Sequence, residues 1–285
     1  MKRLRATLLT LTITGACLSL RTAAQSPGPE WPRFHGAAND NRSLETGLLK
    51  VWPDGGPKLL WTATGLGRGY SSVAVHQQRI YTAGMKDKQT EVIALDLDGK
   101  EVWRQINGQS WETDKRYAVA YAGSRGTPTC DGDRIYQLAE MGSLSAFDSA
   151  TGRKVWTVDV LERFGGKTSK YGLSESVLVV GDRLFCCPAG EKGFLVCLDK
   201  ATGATVWANR EIPGSSSYVS LALTEIGGVM QIVGMSSAEA FGVDPKTGAL
   251  LWTAEHGNQR KNNATNPIVY KGHVFVSTGY GKGSA

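Results

Sequence analysis

A short pattern returns four times along this chain and limits what it can fold into. It reads Ala94-Leu95-Asp96, Gly99 and Trp103, then Ala146-Phe147-Asp148, Thr151-Gly152 and Trp156. It returns as Cys197-Leu198-Asp199, Thr202-Gly203 and Trp207, and as Gly242-Val243-Asp244, Thr247-Gly248 and Trp252. Trp61, in Lys58-Leu59-Leu60-Trp61, carries only the tail of the pattern. From Trp61 onward the separations are 42, 53, 51 and 45 residues. A period in this range signals an array of like units rather than one continuous core.

The local chemistry of each repeat is that of a strand, a turn and a strand. Val92-Ile93-Ala94-Leu95, Leu144-Ser145-Ala146-Phe147 and Phe194-Leu195-Val196-Cys197-Leu198 are apolar and strand-like. Asp followed by Thr-Gly is turn chemistry, because Asp accepts from nearby backbone N–H groups and Gly takes positive φ without penalty. In the first repeat the turn shortens to Asp98-Gly99, a two-residue hairpin signal. A second strand then climbs to each Trp. Two further strands precede each copy, as in Ser72-Val73-Ala74-Val75 with Arg79-Ile80-Tyr81 and Thr127-Pro128-Thr129-Cys130 with Arg134-Ile135-Tyr136. Ser176-Val177-Leu178-Val179 with Arg183-Leu184-Phe185, and Asn266-Pro267-Ile268-Val269 with His273-Val274-Phe275, repeat them. The fourth copy is the loosest, with Leu221-Ala222-Leu223 and Gln231-Ile232-Val233 in the early positions.

Four-stranded units with turns this short cannot bury a face alone. They must stack around an axis, so the fold class is all-β, a β-propeller of four-stranded antiparallel blades. Each Trp is expected to pack against the Gly turn of the neighbouring blade. This pairs Trp61, Trp103, Trp156, Trp207 and Trp252 with the turn glycines Gly99, Gly152, Gly203 and Gly248 as structural residues.

Ala-x-Asp-x-x-Thr-Gly-x-x-x-Trp resembles the tryptophan-docking motif of quinoprotein-type propellers, the pyrroloquinoline quinone (PQQ) repeat family. The resemblance runs from about residue 31 to 280, and Trp31-Pro32-x-Phe34-x-Gly36 resembles the segment that leads into the first blade of that family. The resemblance implies the fold but not the cofactor, because the same blade serves PQQ-dependent dehydrogenases and non-enzymatic scaffolds. Such rings typically close with seven or eight blades. Here four complete repeats are flanked by a last strand at Trp61 and by a leading half after residue 266, which is the pattern expected of an incomplete ring or a truncated product. The expected division is a signal peptide at 1–24, an extended segment at 25–57 and the propeller at 58–285.

The N-terminus reads as an export signal. Lys2, Arg3 and Arg5 precede an apolar run of 13 residues, 8–20, too short to span a membrane, and Thr22-Ala23-Ala24 before Gln25 offers a small-residue cleavage site. Thr14-Gly15-Ala16-Cys17 resembles a lipobox, so a membrane association would run through lipidation at Cys17. Either route places the protein in the periplasm or at the cell surface. The formal charge of +6 falls to +2 without residues 1–24, which hold four basic residues and no acid, and this gives no support to nucleic-acid binding.

Cys130, Cys186, Cys187 and Cys197 remain in the mature chain. The Cys186-Cys187 pair resembles, in spacing alone, the vicinal disulfide of some PQQ dehydrogenases. It lies on a strand, where neighbours point to opposite faces, and Cys197 fills the small-residue slot of Ala94 and Ala146. Packing cysteines are therefore expected.

Function is expected on the long polar segments between blades. These are 107–125, with Trp111, Arg116, Tyr117, Tyr121 and Arg125; 161–176, with Lys167, Lys170, Tyr171 and Glu175; 213–220, with Tyr218; and 255–266, with Asn263. Arg116, Arg125, Lys170, Glu175, Tyr218 and Asn263 are the binding candidates, suited to an acidic or carbohydrate-like ligand or to a partner protein. No catalytic or metal-binding set stands out. Cys-x-x-Cys-His, a His cluster and Gly-x-Ser-x-Gly are absent, and Gly165-Gly166-Lys167-Thr168 lacks the first Gly of a P-loop. The leading expectation is a non-enzymatic exported binding or scaffold protein with no cofactor. The alternative is a PQQ-dependent or degenerate quinoprotein dehydrogenase acting on alcohols or sugars, which would need Ca²⁺ and oxygen ligands such as Glu175 and Asn263.

Overall fold

The computed structural model describes residues 30–116 and 118–285. The signal segment 1–24 with Cys17, the cleavage site before Gln25, and Tyr117 lie outside the described residues. Among the described residues there are four four-stranded antiparallel sheets and two two-stranded ones. Blade I is β1 (Ala74–His76), β2 (Arg79–Lys86), β3 (Gln89–Asp96) and β4 (Glu101–Gln109). Blade II is β5 (Thr129–Asp131), β6 (Arg134–Leu138), β7 (Ser143–Asp148) and β8 (Lys154–Asp159). Blade III is β9 (Leu178–Val180), β10 (Arg183–Cys186), β11 (Leu195–Asp199) and β12 (Thr205–Asn209). Blade IV is β13 (Ala222–Ile226), β14 (Val229–Met235), β15 (Glu239–Val243) and β16 (Leu250–Glu255). Two hairpins follow, β17 (Ile268–Tyr270) with β18 (His273–Phe275) and β19 (Ser277–Thr278) with β20 (Gly283–Ser284). A five-residue helix, α1 (Val160–Phe164), caps blade II.

Each blade is a meander in strand order, and the core lies between blades rather than within them. Tyr81, Val92, Ala94 and Trp103 of blade I meet Cys130, Ile135 and Phe147 of blade II. The alternate residues of blade II, Tyr136, Leu144 and Ala146, meet Val179, Leu184 and Val196 of blade III. This is period-two alternation with both faces buried. A sheet with two apolar faces has no stable existence alone, which is why the repeats must stack.

The register explains the small-residue slot. Ala94, Ala146, Cys197 and Gly242 stand directly opposite Trp103, Trp156, Trp207 and Trp252, and a bulge follows each pair. A larger side chain there would meet the indole. Each of the first three of these rings also leans on an aromatic of its own second strand, with Tyr81–Trp103, Tyr136–Trp156 and Phe185–Trp207 centroids 5.9, 6.0 and 5.7 Å apart.

Four indoles reach the next turn. Trp61, Trp103, Trp156 and Trp207 donate Nε1–H to the carbonyl oxygens of Leu97, Ser149, Lys200 and Pro245 at 2.8, 2.9, 3.0 and 3.3 Å. In each case the acceptor is the residue after the turn Asp. The rings lie over Gly99, Gly152, Gly203 and Gly248, whose φ values of +71 to +80° suit glycine. The Asp side chains hold these turns, with Asp148 Oδ1, for example, accepting from Thr151 N and Oγ1 at 2.9 and 2.8 Å.

Three expectations differ in detail. Trp252 donates instead to Gln231 Oε1 of its own blade at 2.6 Å and packs against Val274 and Val276. Trp61 docks without a strand of its own, because residues 58–66 form no sheet pairing. The first turn is a three-residue loop, 97–99, closed by Asp96 N–H to Lys100 O at 2.9 Å; only Gly99 takes positive φ, so a two-residue type I′ turn is not formed.

Two features run around the axis. Residues 31–39 strap the inner strands together. Trp31 bridges Val75, Pro32 O accepts from Cys130 N at 2.7 Å, Arg33 donates to Val179 O at 3.1 Å, and Asn39 donates to Leu221 O at 3.1 Å. Asn266 Nδ2 pairs with His35 Nε2 at 2.9 Å. Beside the strap, one polar residue at the same place in each blade receives the backbone N–H of the blade before. Ser72 N–H donates to Thr127 Oγ1, Thr127 N–H to Ser176 Oγ, Ser176 N–H to Ser220 Oγ and Ser220 N–H to Asn266 Oδ1, all at 2.9–3.0 Å.

Candidate functional site

The inter-blade segments converge on one face, and their aromatic residues cluster around Arg125. Its guanidinium carbon lies 5.3, 5.5 and 6.0 Å from the ring centroids of Tyr70, Trp111 and Tyr171. These are cation–π distances. Tyr171 is the hub, with centroids 5.6 Å from Trp111, 6.0 Å from Tyr121 and 6.1 Å from Tyr218. Lys170 Nζ lies 5.3 Å from the Tyr171 ring. An open cleft of about 590 Å³ adjoins the cluster.

Specific contacts place these rings. Gly172, at φ +78°, presses so close to Trp111 and Glu140 that a Cβ there would lie 2.8 Å from each Cβ. Tyr218 is fixed through its backbone N–H to Asn263 O at 2.9 Å. Arg125 is fixed through its own backbone N–H, which donates to Glu140 Oε1 at 2.9 Å.

Glu140 is fully buried and was not singled out in the sequence. Thr90 Oγ1 and Ser110 Oγ donate to its Oε2 at 2.6 and 2.8 Å, and Ser124 Oγ donates to Oε1 at 3.2 Å. Burial pushes its carboxyl pKa up, while these hydrogen bonds oppose the shift. It ties blade I to the loop that carries Arg125. Glu140 lies in the β6–β7 turn, outside the repeating positions, so periodicity gave no signal for it.

The other candidates are placed differently. Glu175 is buried beneath the face among Leu173, Phe194 and Met235, and its Oε2 accepts from Cys187 N–H at 2.8 Å. Its Oε1 has no partner among the described residues. Burial pushes its pKa up to about 8, so it is a neutral acid at pH 7. Asn263 is fully buried, with Oδ1 accepting from Asn258 Nδ2 and Thr278 Oγ1 at 3.0 and 2.7 Å and Nδ2 donating to Ser236 O at 2.7 Å. Arg116 is exposed, and no hydrogen bond, ion pair or ring contact among the described residues joins it to the cluster.

These placements do not fit a quinone–calcium site. The Asn263 amide is spent on three internal hydrogen bonds, and Glu175 stands alone in an apolar setting. No group of three or more His, Cys, Asp or Glu among the described residues could hold a metal ion. Cys186 and Cys187 are free thiols. Cys186 packs into the blade II–III seam and Cys187 against the III–IV seam. No catalytic step is assigned to the cluster.

The family model described as outer membrane protein assembly factor BamB matches residues 51–160 and 88–285. A curated relative with that name from Shewanella oneidensis is 28% identical over 181 residues, covering 61% of this chain and 44% of the relative. One from Xanthomonas campestris is 26% identical over 179 residues, covering 63% and 39%. The chain thus spans less than half the length of these relatives. Among solved structures, BamB from Moraxella catarrhalis superposes with a TM-score of 0.50 at 19% identity, over 80% of this chain and 60% of that one. A quinohemoprotein alcohol dehydrogenase from Comamonas testosteroni superposes with a TM-score of 0.58 at 15% identity, over 87% and 46%. At such identities these two show the β-propeller fold alone. The extent of the family match, together with the repeated Asp turn and its indole partner, is decisive: this chain belongs to the PQQ-like repeat family described as outer membrane protein assembly factor BamB.

Proposed function

We propose that this is an exported, non-enzymatic scaffold that binds a protein partner through its loop face, in the periplasm or at the cell surface. The observation that carries the reading is the Arg125 guanidinium set among Tyr70, Trp111 and Tyr171 on a rigid stack of blades. Arg, Trp and Tyr are the residues that dominate binding energy at protein interfaces, and fixed rings lose little entropy on contact. Relatives named as outer membrane protein assembly factors support a partner from the machinery that assembles outer membrane proteins. The reading needs neither quinone nor calcium. The export route is either a cleaved signal at 1–24 or lipidation at Cys17, which the mass of the mature N-terminus distinguishes.

The test is photo-crosslinking in the native host from a reactive residue placed at Tyr218. Cross-links to one or two defined envelope proteins are expected. Cross-links that are absent, or that match those from an exposed blade edge such as Val102, overturn the reading.

A further inference from the structure

The scaffold reading leaves open what chemistry the face selects, and the cleft beside Arg125 speaks to it. Arg125, Tyr171, Ser174, Tyr218, Asn262 and Tyr280 line it. Among the described residues that line it, none carries a carboxylate. Arg125 carries five N–H donors. Its Nη2 donates to Tyr121 O, and its Nε is buried without an acceptor among the described residues. No ion pair among the described residues links it to an acid. Its nearest acid, Glu140, spends both oxygens on Thr90, Ser110, Ser124 and the Arg125 backbone. Two more cations stand around the cleft, Lys170 against Tyr171 and Arg260 5.0 Å from the Tyr280 ring centroid. The cleft is therefore an aromatic-walled, cation-rich opening with guanidinium donors to spare.

We propose that this cleft binds an acidic segment of a protein partner, seating one Asp or Glu carboxylate on the Arg125 guanidinium between Tyr171 and Tyr218. The inference rests on the scaffold reading and adds its selectivity. A carboxylate supplies the acceptors the guanidinium fork lacks, and charge-assisted bonds of this kind are stronger than neutral ones. An apolar or aromatic neighbour of the acid would pack on the exposed edges of the tyrosines. The cations span the cleft from Lys170 to Arg260, which suits an extended chain rather than a single small anion. Glu140 is a positioning residue, because it fixes the backbone that presents Arg125.

Isothermal titration of the full chain with the capped peptide Gly-Phe-Glu-Phe-Gly, and with its counterpart carrying Gln for Glu, tests the proposal. The Glu peptide is expected to bind at least about tenfold more tightly, with affinity falling as salt rises. Arg125→Gln is expected to erase the difference, and Arg125→Lys to restore part of it, with thermal unfolding confirming that both variants fold. Equal binding of the two peptides, no binding of either, or discrimination surviving in Arg125→Gln would overturn the proposal. Displacement of the Glu peptide by an equal concentration of acetate would overturn the choice of a chain segment as occupant. Specific cross-links from position 218, together with equal binding of the two peptides by the chain with Arg125 intact, would sink the acidic selectivity alone. Loss of specific cross-links in the unsubstituted chain would sink the scaffold reading beneath it.

Discussion

The backbone N–H of Ser176 donates to Oγ of Ser220, 44 residues on, at 2.9 Å. Both groups are buried, and the same bond joins the preceding and following blades. The side chain of one blade thus satisfies the main chain of its neighbour, so a lost hydroxyl strands a donor that water cannot reach.

Ser220→Ala is expected to destabilise the protein by about 1–3 kcal/mol, the cost of an unpaired buried N–H. Ser220→Thr keeps the oxygen and should lose less. Urea unfolding midpoints check both, and equal midpoints for Ala and unsubstituted protein would refute the bond's importance.

Trp156→Ala removes a ring that sits over Gly203 and donates to Lys200 O. The expected loss is about 3–5 kcal/mol, as for large aromatic truncations in cores. Gly203→Ala should also destabilise, since the position has φ +71° and a Cβ there would lie 2.9 Å from the ring. Trp156→Phe keeps much of the packing and should fall between. Thermal unfolding of the three variants gives the order.

Glu175 makes stability depend on pH. Its folded pKa is raised to about 8, above the ordinary carboxylate value of about 4.5. Below pH 4.5 the group is protonated in both states and contributes no difference. Between 4.5 and 8 the unfolded chain ionises while the folded one holds its proton, so stability falls as pH rises, by up to about 1.4 kcal/mol per unit. Glu175→Gln is expected to flatten this slope and to gain on the unsubstituted protein from pH 5 to 8. Parallel stability–pH curves would contradict the assignment.

Burial raises the thiol pKa of Cys130, Cys186, Cys187 and Cys197, desolvation being the main cause in each. A thiolate is the reactive form. At pH 8 an aromatic disulfide reagent should therefore react slowly with all four in the folded protein and fully after denaturation. Mass mapping that finds Cys186 and Cys187 bridged would show the thiol assignment wrong.

Reconstitution with PQQ and Ca²⁺ is expected to give no dye-linked oxidation of alcohols or aldose sugars, because the Asn263 amide is committed to Asn258, Thr278 and Ser236. Activity above that of the cofactor alone would reverse this.

The blades were legible because their determinants repeat. Asp148, Thr151 and Gly152 form a turn from local hydrogen bonds within a few residues, and an Ala, Cys or Gly across from Trp103, Trp156, Trp207 and Trp252 reports the register. Trp252 and Trp61 depart from that pattern in different ways: Trp252 bonds within its own blade, and Trp61 docks over Gly99 with no paired strand behind it, and neither outcome lies within the local pattern. The site was only partly legible. Arg125, Lys170 and Tyr218 were marked by composition alone. Asn263 looks like a surface residue in sequence but is buried, because the β19–β20 hairpin folds over it with Thr278.

The chain by itself determined the repeat unit, the strands, the Asp-Gly turns and the Trp seams, since these depend on period-two burial and on bonds between near neighbours. Only the tertiary structure decided that Glu140 underpins Arg125, that Glu175 is neutral, that hydroxyls of successive blades form a chain around the axis, and that residues 31–39 strap the inner strands. Each of those depends on groups a dozen or more residues apart meeting away from water, where an unpaired donor or charge is costly, and periodicity carries no information about which side chain will satisfy it.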